Sequence, residues 1–395
     1  MEFSDRIASL KPSAIREIFK VLGDKTIISF AGGNPDPATF PAKAMNRIAE
    51  DLFNNHSADA LQYSITEGYP ELRRQLSLRM KEKFNIGREF DETIVVTGGQ
   101  QGLDLTCKVL CNEGDVVICE EPSFIGALNC FRATRARLVG VEMEDDGMNI
   151  EKLEHVLKTE NRVKMIYTIP TFQNPMGITT SNEKRIKIYE LAKKYGVIIL
   201  EDNPYGELRF SGEDIPTIKS FDEDGIVVYC SSFSKILSPG MRMGYLCAPK
   251  EIIEKIVVAK QVNDVHTNIF FQMIVSEYMA KENIDAHIEQ NRNIYREKAL
   301  KMLSVMDEYF PKDVTYTRPE GGLFIWCDLG HGINTNDFSK KILASKIAVV
   351  PGSAFLCKEN ALSSAIRLNY SMPTLEQIDK GIKTLAELIK NEINV

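Results

Sequence analysis

Several features that would restrict this chain to a specialised class are scarce or missing. It has one tryptophan and five histidines in 395 residues, and the histidines form no paired metal motif. No apolar run approaches membrane-spanning length, and the first ten residues lack the hydrophobic stretch of a signal peptide. Basic residues form no block, and the net charge of -7 disfavours a nucleic-acid partner. We therefore expect a globular protein that binds neither membranes nor nucleic acid.

The eight cysteines form neither a disulfide framework nor a metal motif. They are dispersed, mostly within apolar segments. Cys107 and Cys111 fall one helical turn apart, but no histidine or second cysteine pair joins them, so a metal is not expected. The pattern is typical of reduced, buried thiols and predicts a cytoplasmic protein.

From Thr93 onward, short apolar segments alternate with amphipathic ones. This alternation predicts an α/β fold in which a mainly parallel seven-stranded sheet is covered by helices on both faces. The strands are expected at 94–97, 116–119, 137–141, 165–168, 197–200, 226–229 and 245–248. Helices are expected at 13–22, 43–54, 124–132, 150–158 and 182–194. Two further helices are expected to end near 83 and near 110.

The C-terminal part reads as a smaller α+β unit. After Lys250 the chain is helical, with a long helix at 285–308 that contains no proline or glycine. A strand pair at 316–328, a helix at 337–345, a strand at 365–370 and a terminal helix at 375–391 follow. We expect an N-terminal arm and helix at 1–43 associated with the small domain and the active site, a large domain at 44–285, and a small domain at 286–395.

Polar residues follow the predicted strands, where ligands of such sheets bind. Gly99, Gln100 and Gln101 separate a strand from a helix, so their N–H groups suit a phosphate. Asn174 follows another strand, and Asp202 and Tyr205 follow the next. Each has a structural explanation when taken alone, because glycine turns, Asn-Pro turns and capping aspartates are common.

One lysine, Lys235, lies in the turn Ser231-Ser-Phe-Ser-Lys-Ile-Leu-Ser-Pro-Gly-Met-Arg242 after a predicted buried strand. Desolvation and a neighbouring positive charge would lower the lysine pKa, as nucleophilic attack on a carbonyl requires. The serines and Arg242 suit a phosphate group. The combination suggests pyridoxal 5'-phosphate held as a Schiff base, although a lysine in a serine-rich turn can also be simply solvated.

Taken together, these motifs resemble those of the fold-type I pyridoxal-phosphate aminotransferases of classes I and II. The ordered motifs are Gly-Gly-Gln-Gln, Gln-Asn-Pro-Met-Gly, Glu-Asp-Asn-Pro-Tyr, Ser-Phe-Ser-Lys, Arg-Met-Gly-Tyr and Ile-Arg-Leu. The resemblance covers nearly the whole chain and is closest to the 2-aminoadipate and kynurenine aminotransferase group. It implies a fold-type I transferase whose large domain binds the cofactor.

The resemblance also implies roles for single residues around the cofactor. Lys235 would hold the cofactor and then shuttle the substrate proton, and Asp202 would pair with the pyridine nitrogen. Tyr205 and Asn174 would hydrogen-bond the phenolic oxygen. The phosphate would lie on Ser232, Ser234, Arg242 and the turn of Gly99, Gln100 and Gln101. Phe124 would stack on the ring, at a position where the family often has tyrosine.

Further residues are implied for the substrate and for a second subunit. Arg367 would bind the α-carboxylate, Asn174 would contact the substrate, and Gly33 would let the arm approach it. Arg16 would contact the substrate side chain, which would favour an acidic donor. Tyr63 would reach the phosphate of a neighbouring subunit, so the resemblance implies a homodimer with shared active sites.

The expected reaction is transfer of an amino group from an L-amino acid to a 2-oxo acid, with 2-oxoglutarate as the expected acceptor. One alternative is a pyridoxal-phosphate C–S β-lyase, which needs the same Lys235. Another is a domain derived from transcription regulators that carry a helix-turn-helix module, but the chain begins directly at the aminotransferase arm.

Overall fold

The computed structural model describes residues 2–8, 24 and 26–394, and a mixed sheet of eight strands lies at its centre. The strand order is β2-β9-β8-β7-β6-β3-β4-β5. Its strands are β2 (Asp91–Val96), β3 (Val116–Glu121), β4 (Arg137–Glu144), β5 (Gly147–Met148), β6 (Val163–Thr168), β7 (Ile198–Asp202), β8 (Val227–Ser232) and β9 (Gly244–Pro249). The expected mainly parallel sheet is therefore present.

The sheet differs from the expected one by one strand. The added β5 is a two-residue strand antiparallel to β4, too short for a pattern of alternating residues to indicate it. Strands β3, β4, β6, β7 and β8 run parallel, whereas β9 is antiparallel to both of its neighbours. The runs of valine and isoleucine that predicted these strands are buried because helices cover both faces of the sheet.

The helices around this sheet follow the predicted amphipathic segments. Their bounds are Ala42–Asn55, Ser57–Leu61, Pro70–Phe84, Gly99–Leu110, Ile125–Ala133, Ile150–Thr159, Asn182–Tyr195, Lys250–Gln261 and Ile269–Lys281. A short helix, Asp5–Ala8, lies in the N-terminal arm, and the helix expected at 13–22 falls outside the described residues. No helix in the described part of the chain is long and apolar enough to cross a membrane.

A second, antiparallel sheet in the order β10-β11-β14-β13 forms the smaller unit. Its strands are β10 (Thr315–Tyr316), β11 (Phe324–Asp328), β13 (Val350–Pro351) and β14 (Ala365–Asn369). The helices Ile284–Tyr309, Thr335–Ala344 and Leu375–Ile393 belong to this part of the chain. The short β1 (Ile28–Ser29) pairs with β12 (Ile347–Ala348). The N-terminal arm is thereby held against the smaller unit.

Candidate active site

A cavity of about 320 Å³ lies where the carboxyl ends of the central strands face the small sheet. Strands β7 and β8 are parallel neighbours, so Asp202 and Ser232, at their last positions, lie at the same edge. The arm and β14 close the other side. The lining residues are Gly33, Asn34, Gly99, Gln100, Leu103, Phe124, Ile169, Asn174, Asp202, Pro204, Tyr205, Ser232, Ser234, Lys235, Pro239, Arg242, Phe324 and Arg367.

Lys235 presents its amine to this cavity in a form that loses its proton readily. Its Nζ donates to the carbonyl oxygen of Gly33 at 2.6 Å. Burial, followed by the positive charges of Arg367 and Arg242, lowers the lysine pKa from 10.5 to about 8. The described part of the chain forms no ion pair with this amine. At about pH 7 roughly a tenth of the amine is therefore neutral and nucleophilic, far more than for an ordinary lysine.

Asp202 is a carboxyl group held in a dry environment. It is 5% exposed, and the hydroxyl of Tyr167 donates to its Oδ2 at 2.8 Å. Burial raises its pKa from 3.8 to about 7, against the Tyr167 hydrogen bond and with a further contribution from Glu120. A cation brought against this group would favour its ionised form. Tyr167 was missed at the sequence level because it reads as one apolar residue of a buried strand.

Arg367 reaches the cavity from β14 and is held on both sides. Its Nη1 donates to Oδ1 of Asn174 at 2.9 Å and its Nη2 to the carbonyl oxygen of Ala31 at 2.6 Å. The guanidinium lies over the rings of Phe324 and Phe355, with its carbon 4.2 and 4.9 Å from their centroids. Burial lowers its pKa to about 10.

Within the described chain, Arg367 also keeps unused hydrogen-bonding capacity. Its buried Nε has no hydrogen-bond partner there. A planar cation fixed in this way suits a carboxylate. Asn174 connects it to Tyr205, because Nδ2 of Asn174 donates to the tyrosine hydroxyl at 3.4 Å. Burial raises the pKa of Tyr205, so that hydroxyl remains protonated.

At the other end of the cavity, small polar groups surround the start of the helix Gly99–Leu110. Ser232 Oγ donates to Ser234 Oγ at 2.8 Å and accepts the backbone N–H of Ser234 at 3.1 Å. No side chain caps this helix at Gly98. A Cβ added to Gly98 would lie 2.3 Å from Nη2 of Arg242, so the guanidinium lies directly over the turn. Hydroxyls, uncapped N–H groups and a guanidinium together suit a phosphate.

The side chains of the two glutamines in this turn make different contacts. Gln100 lines the cavity, and its Nε2 donates to the carbonyl oxygen of Gly126 at 2.8 Å. The side chain of Gln101 turns away, donating to Asp264 at 2.7 Å and accepting from Lys260 at 2.8 Å. These partners come from a distant segment, so no local sequence pattern indicates this orientation.

Like Gln101, Tyr63 was proposed from the sequence and does not line this cavity. Tyr63 is 82% exposed, and its ring contacts the edge of His266 with centroids 5.9 Å apart. Arg16 falls outside the described residues. Phe124 and Gly33 do line the cavity, and a Cβ on Gly33 would come within 3.2 Å of the Phe324 ring. Besides Tyr167, sequence reasoning missed Phe324, because an aromatic residue in a strand usually indicates only core packing.

The two-sheet architecture with a lysine at the carboxyl edge of the large sheet is that of the fold-type I pyridoxal-phosphate enzymes. A family model described as aminotransferase class I and II matches residues 25–385. The chain belongs to this family. It is an enzyme, a transaminase, and its cofactor is pyridoxal 5'-phosphate.

Individual relatives can be aligned with this chain along nearly their whole lengths. The chain is 40% identical to aromatic-amino-acid aminotransferase 1 of Thermococcus litoralis, covering 99% of this chain and 94% of that protein. It is 36% identical to the 2-aminoadipate transaminase of Thermus thermophilus, covering 98% and 96%. Kynurenine aminotransferase of Pyrococcus horikoshii, solved with PMP, has a TM-score of 0.96 at 37% identity, covering 100% and 98%. These relatives do not favour the lyase alternative.

Proposed function

We propose that this transaminase transfers the amino group of an aromatic amino acid or of 2-aminoadipate to 2-oxoglutarate. Both donor classes occur in the names of its relatives. The observation that carries the proposal is that Lys235, Asp202 and Arg367, from three separate segments, border one cavity. An amine, a carboxyl and a carboxylate-binding cation are the groups that amino-group transfer requires.

When bound, pyridoxal phosphate supplies an aldehyde for the amine and a ring that takes up the electron pair of the broken Cα–H bond. Lys235 holds the cofactor in the resting enzyme. Once a substrate amine had displaced it, the neutral Lys235 amine would accept the proton from Cα and later return it. Its pKa of about 8 lets the same group act as base and then as acid near neutral pH.

Asp202, Asn174 and Tyr205 orient and polarise the ring. The carboxylate of Asp202 would pair with the ring nitrogen and keep it protonated, and that pairing would offset the cost of burying an ionised aspartate. Tyr205, which burial keeps protonated, donates to the phenolic oxygen. Asn174 lies between Tyr205 and Arg367 and contacts both the cofactor side and the substrate side of the cavity.

Ser232, Ser234, Gly99 and Arg242 would hold the phosphate, where the helix Gly99–Leu110 presents its uncapped N–H groups. Phe124 packs against the ring face, and Gln100 borders the same wall. Gln101 contributes through its side-chain contacts with Lys260 and Asp264, which hold the turn in place.

The substrate is held by its α-carboxylate on Arg367, close to Gly33. Leu103, Ile169 and Phe324 give the cavity apolar walls that suit an aromatic side chain. Of the described residues that line the cavity, only Lys235, Arg242 and Arg367 are cationic. Their proposed partners are the aldehyde, the phosphate and the α-carboxylate, respectively. An acidic donor such as 2-aminoadipate therefore relies on Arg16, from the N-terminal arm.

The functional unit is a homodimer with shared active sites. Tyr63 is 82% exposed, and nearby Leu61 and, on another loop, Val262 are 72% and 87% exposed. A second copy of the chain would cover this apolar surface and receive Tyr63 at its phosphate. A cytoplasmic location fits this proposal, since a reducing compartment keeps thiols such as these eight free cysteines reduced.

The test is a panel of the common amino acids, 2-aminoadipate and kynurenine, each assayed with 2-oxoglutarate and the cofactor-loaded enzyme. We expect glutamate formation with the aromatic donors and 2-aminoadipate, and the highest kcat/KM among these. Turnover confined to other donors would contradict the substrate proposal. Release of pyruvate from cystathionine without any oxo acid would instead favour the lyase.

A further inference from the structure

Strand β3 carries a buried carboxylate, Glu120, that does not line the cavity. Glu120 is 0% exposed and forms no ion pair in the described part of the chain. Its Oε1 accepts the hydroxyl of Thr168 at 2.6 Å and the N–H of Ile169 at 3.1 Å. Its Oε2 accepts Nε2 of Gln173 at 3.0 Å. A buried carboxylate without an ion-pair partner costs folding free energy unless hydrogen bonds stabilise it. Its three donors must therefore be held firmly.

Gln173 transmits this constraint to a loop. Its side chain is buried, and Nε2 also donates to the carbonyl oxygen of Pro122 at 2.8 Å. Its Oε1 accepts the N–H of Met176 at 2.8 Å. Every polar atom of the amide thus has a partner of the correct type. A flip of the amide would place its NH₂ against an N–H donor, so only one orientation satisfies the network.

The loop that these bonds fix carries Asn174, the residue next to Gln173. Backbone hydrogen bonds from Gln173 N to Ile178 O and from Gly177 N to Gln173 O close the same loop. Asn174 in turn accepts Nη1 of Arg367 at 2.9 Å. A chain of direct contacts therefore runs from Glu120 through Gln173 and Asn174 to the guanidinium.

We propose that Glu120 and Gln173 form a positioning pair that orients Asn174 and, through it, Arg367 for binding the α-carboxylate of the substrate. This inference rests on the proposed function, in which Arg367 receives that carboxylate. The pair acts through its fixed pattern of hydrogen-bond donors and acceptors. The pattern itself, rather than the negative charge at position 120, is what the site needs.

Suitable variants separate the hydrogen-bonding pattern from the negative charge at position 120. In Glu120→Gln, the new NH₂ must face either the two donors of Thr168 and Ile169 or the NH₂ of Gln173. In the double variant Glu120→Gln with Gln173→Glu, the amide at position 120 can donate to the carboxylate at 173. That carboxylate can still accept the N–H of Met176, but the carbonyl of Pro122 loses its donor and faces a carboxylate oxygen instead.

The measurements are the Kd of the cofactor-loaded enzyme for hydrocinnamate, an unreactive carboxylate, by calorimetry, and kcat and KM for both substrates. Burial raises the pKa of Glu120 to about 7, so assays at about pH 8 keep it ionised. We expect each single variant to raise Kd and both KM values about tenfold, with kcat changing less, and the double variant to recover part of this loss.

Glu121→Gln is the matched control, because Glu121 is the next residue of β3 and accepts the N–H of Cys357 instead of contacting the loop. It should leave Kd unchanged. Should Glu120→Gln fail to fold, Gln173→Glu and the double variant make the same comparison. Unchanged Kd in the single variants, or a double variant no better than the worse single one, overturns the proposal. Loss of transamination by the wild-type enzyme would instead overturn the proposed function.

Discussion

Replacing Asp202 with asparagine should stabilise the cofactor-free protein while it removes activity. The wild-type carboxyl has its pKa raised from 3.8 to about 7, mainly by burial. Asparagine has nearly the same shape, and its Oδ1 can still accept the hydroxyl of Tyr167, which now donates at 2.8 Å. The substitution therefore removes the titration and keeps the contact.

The size of the effect follows from the two pKa values. Well below pH 3.8 the carboxyl is protonated in both the folded and the unfolded chain and costs nothing. As the pH rises from there towards the folded pKa, only the unfolded chain loses its proton, so the folded protein loses stability. At about pH 8 the full shift acts and lowers the free energy of unfolding of the wild type by about 4 kcal/mol. At about pH 5.5 only part of it acts, and the loss is about 2 kcal/mol.

The assay is urea unfolding of cofactor-free wild-type and Asp202→Asn protein at these two pH values. The variant should be the more stable of the two, and by a larger margin at the higher pH. Asp59→Asn, at an exposed position, is the control and should show no such trend. A variant less stable than wild type at both values, or a margin that does not grow with pH, would refute the reasoning.

Addition of cofactor should act in the opposite direction and stabilise the wild type more than the variant. The ring nitrogen pairs with ionised Asp202 in the wild type, so that binding offsets the burial cost. The cofactor should therefore raise the thermal midpoint of the wild type more than that of Asp202→Asn. The variant should also lose turnover by several orders of magnitude, because a neutral ring is a poorer electron acceptor.

Four further outcomes are expected. Lys235→Ala should abolish turnover and the visible absorbance of the bound cofactor, and retained activity would contradict its role. Arg367→Gln should raise the Lys235 pKa above about 8 by removing a nearby positive charge, and so shift the pH profile of cofactor capture upward; Arg367→Lys keeps the charge and should shift it less. Arg16→Ala should raise KM for 2-aminoadipate and spare aromatic donors, and equal losses would show that Arg16 does not select side chains. Mixing inactive Lys235→Ala with inactive Tyr63→Ala should restore activity through mixed dimers, whereas no recovery would place Tyr63 outside the shared site.

The sequence predicted the parts of the fold that depend on local patterns. Continuous apolar runs indicated seven of the eight strands in the central sheet, and only the two-residue β5 escaped. The ends of these strands could be located to within a few residues. Because parallel strands end at one edge, Asn174, Asp202 and Lys235 were expected at the same place, and the structure brings all three to one cavity.

What the sequence could not predict depends on contacts between distant segments. Gln101 stands in a glycine-rich turn that suits a phosphate, yet its side chain is drawn away by Lys260 and Asp264. Tyr167 and Glu120 lie in strands whose side-chain surroundings are decided by neighbouring strands, so neither showed a local signal. Their partners, Asp202 and Gln173, come from other parts of the chain.

The basicity of Lys235 shows why these long-range contacts matter for the chemistry. The turn around it contains Arg242, but the larger electrostatic contribution to its lowered pKa comes from Arg367 on the small sheet. The same guanidinium is the proposed receptor for the substrate carboxylate. A carboxylate bound there offsets the charge that had lowered the lysine pKa, because the two opposite charges partly cancel at the amine. The amine therefore holds a proton more tightly once the substrate is in place, which is when it has to take the proton from Cα.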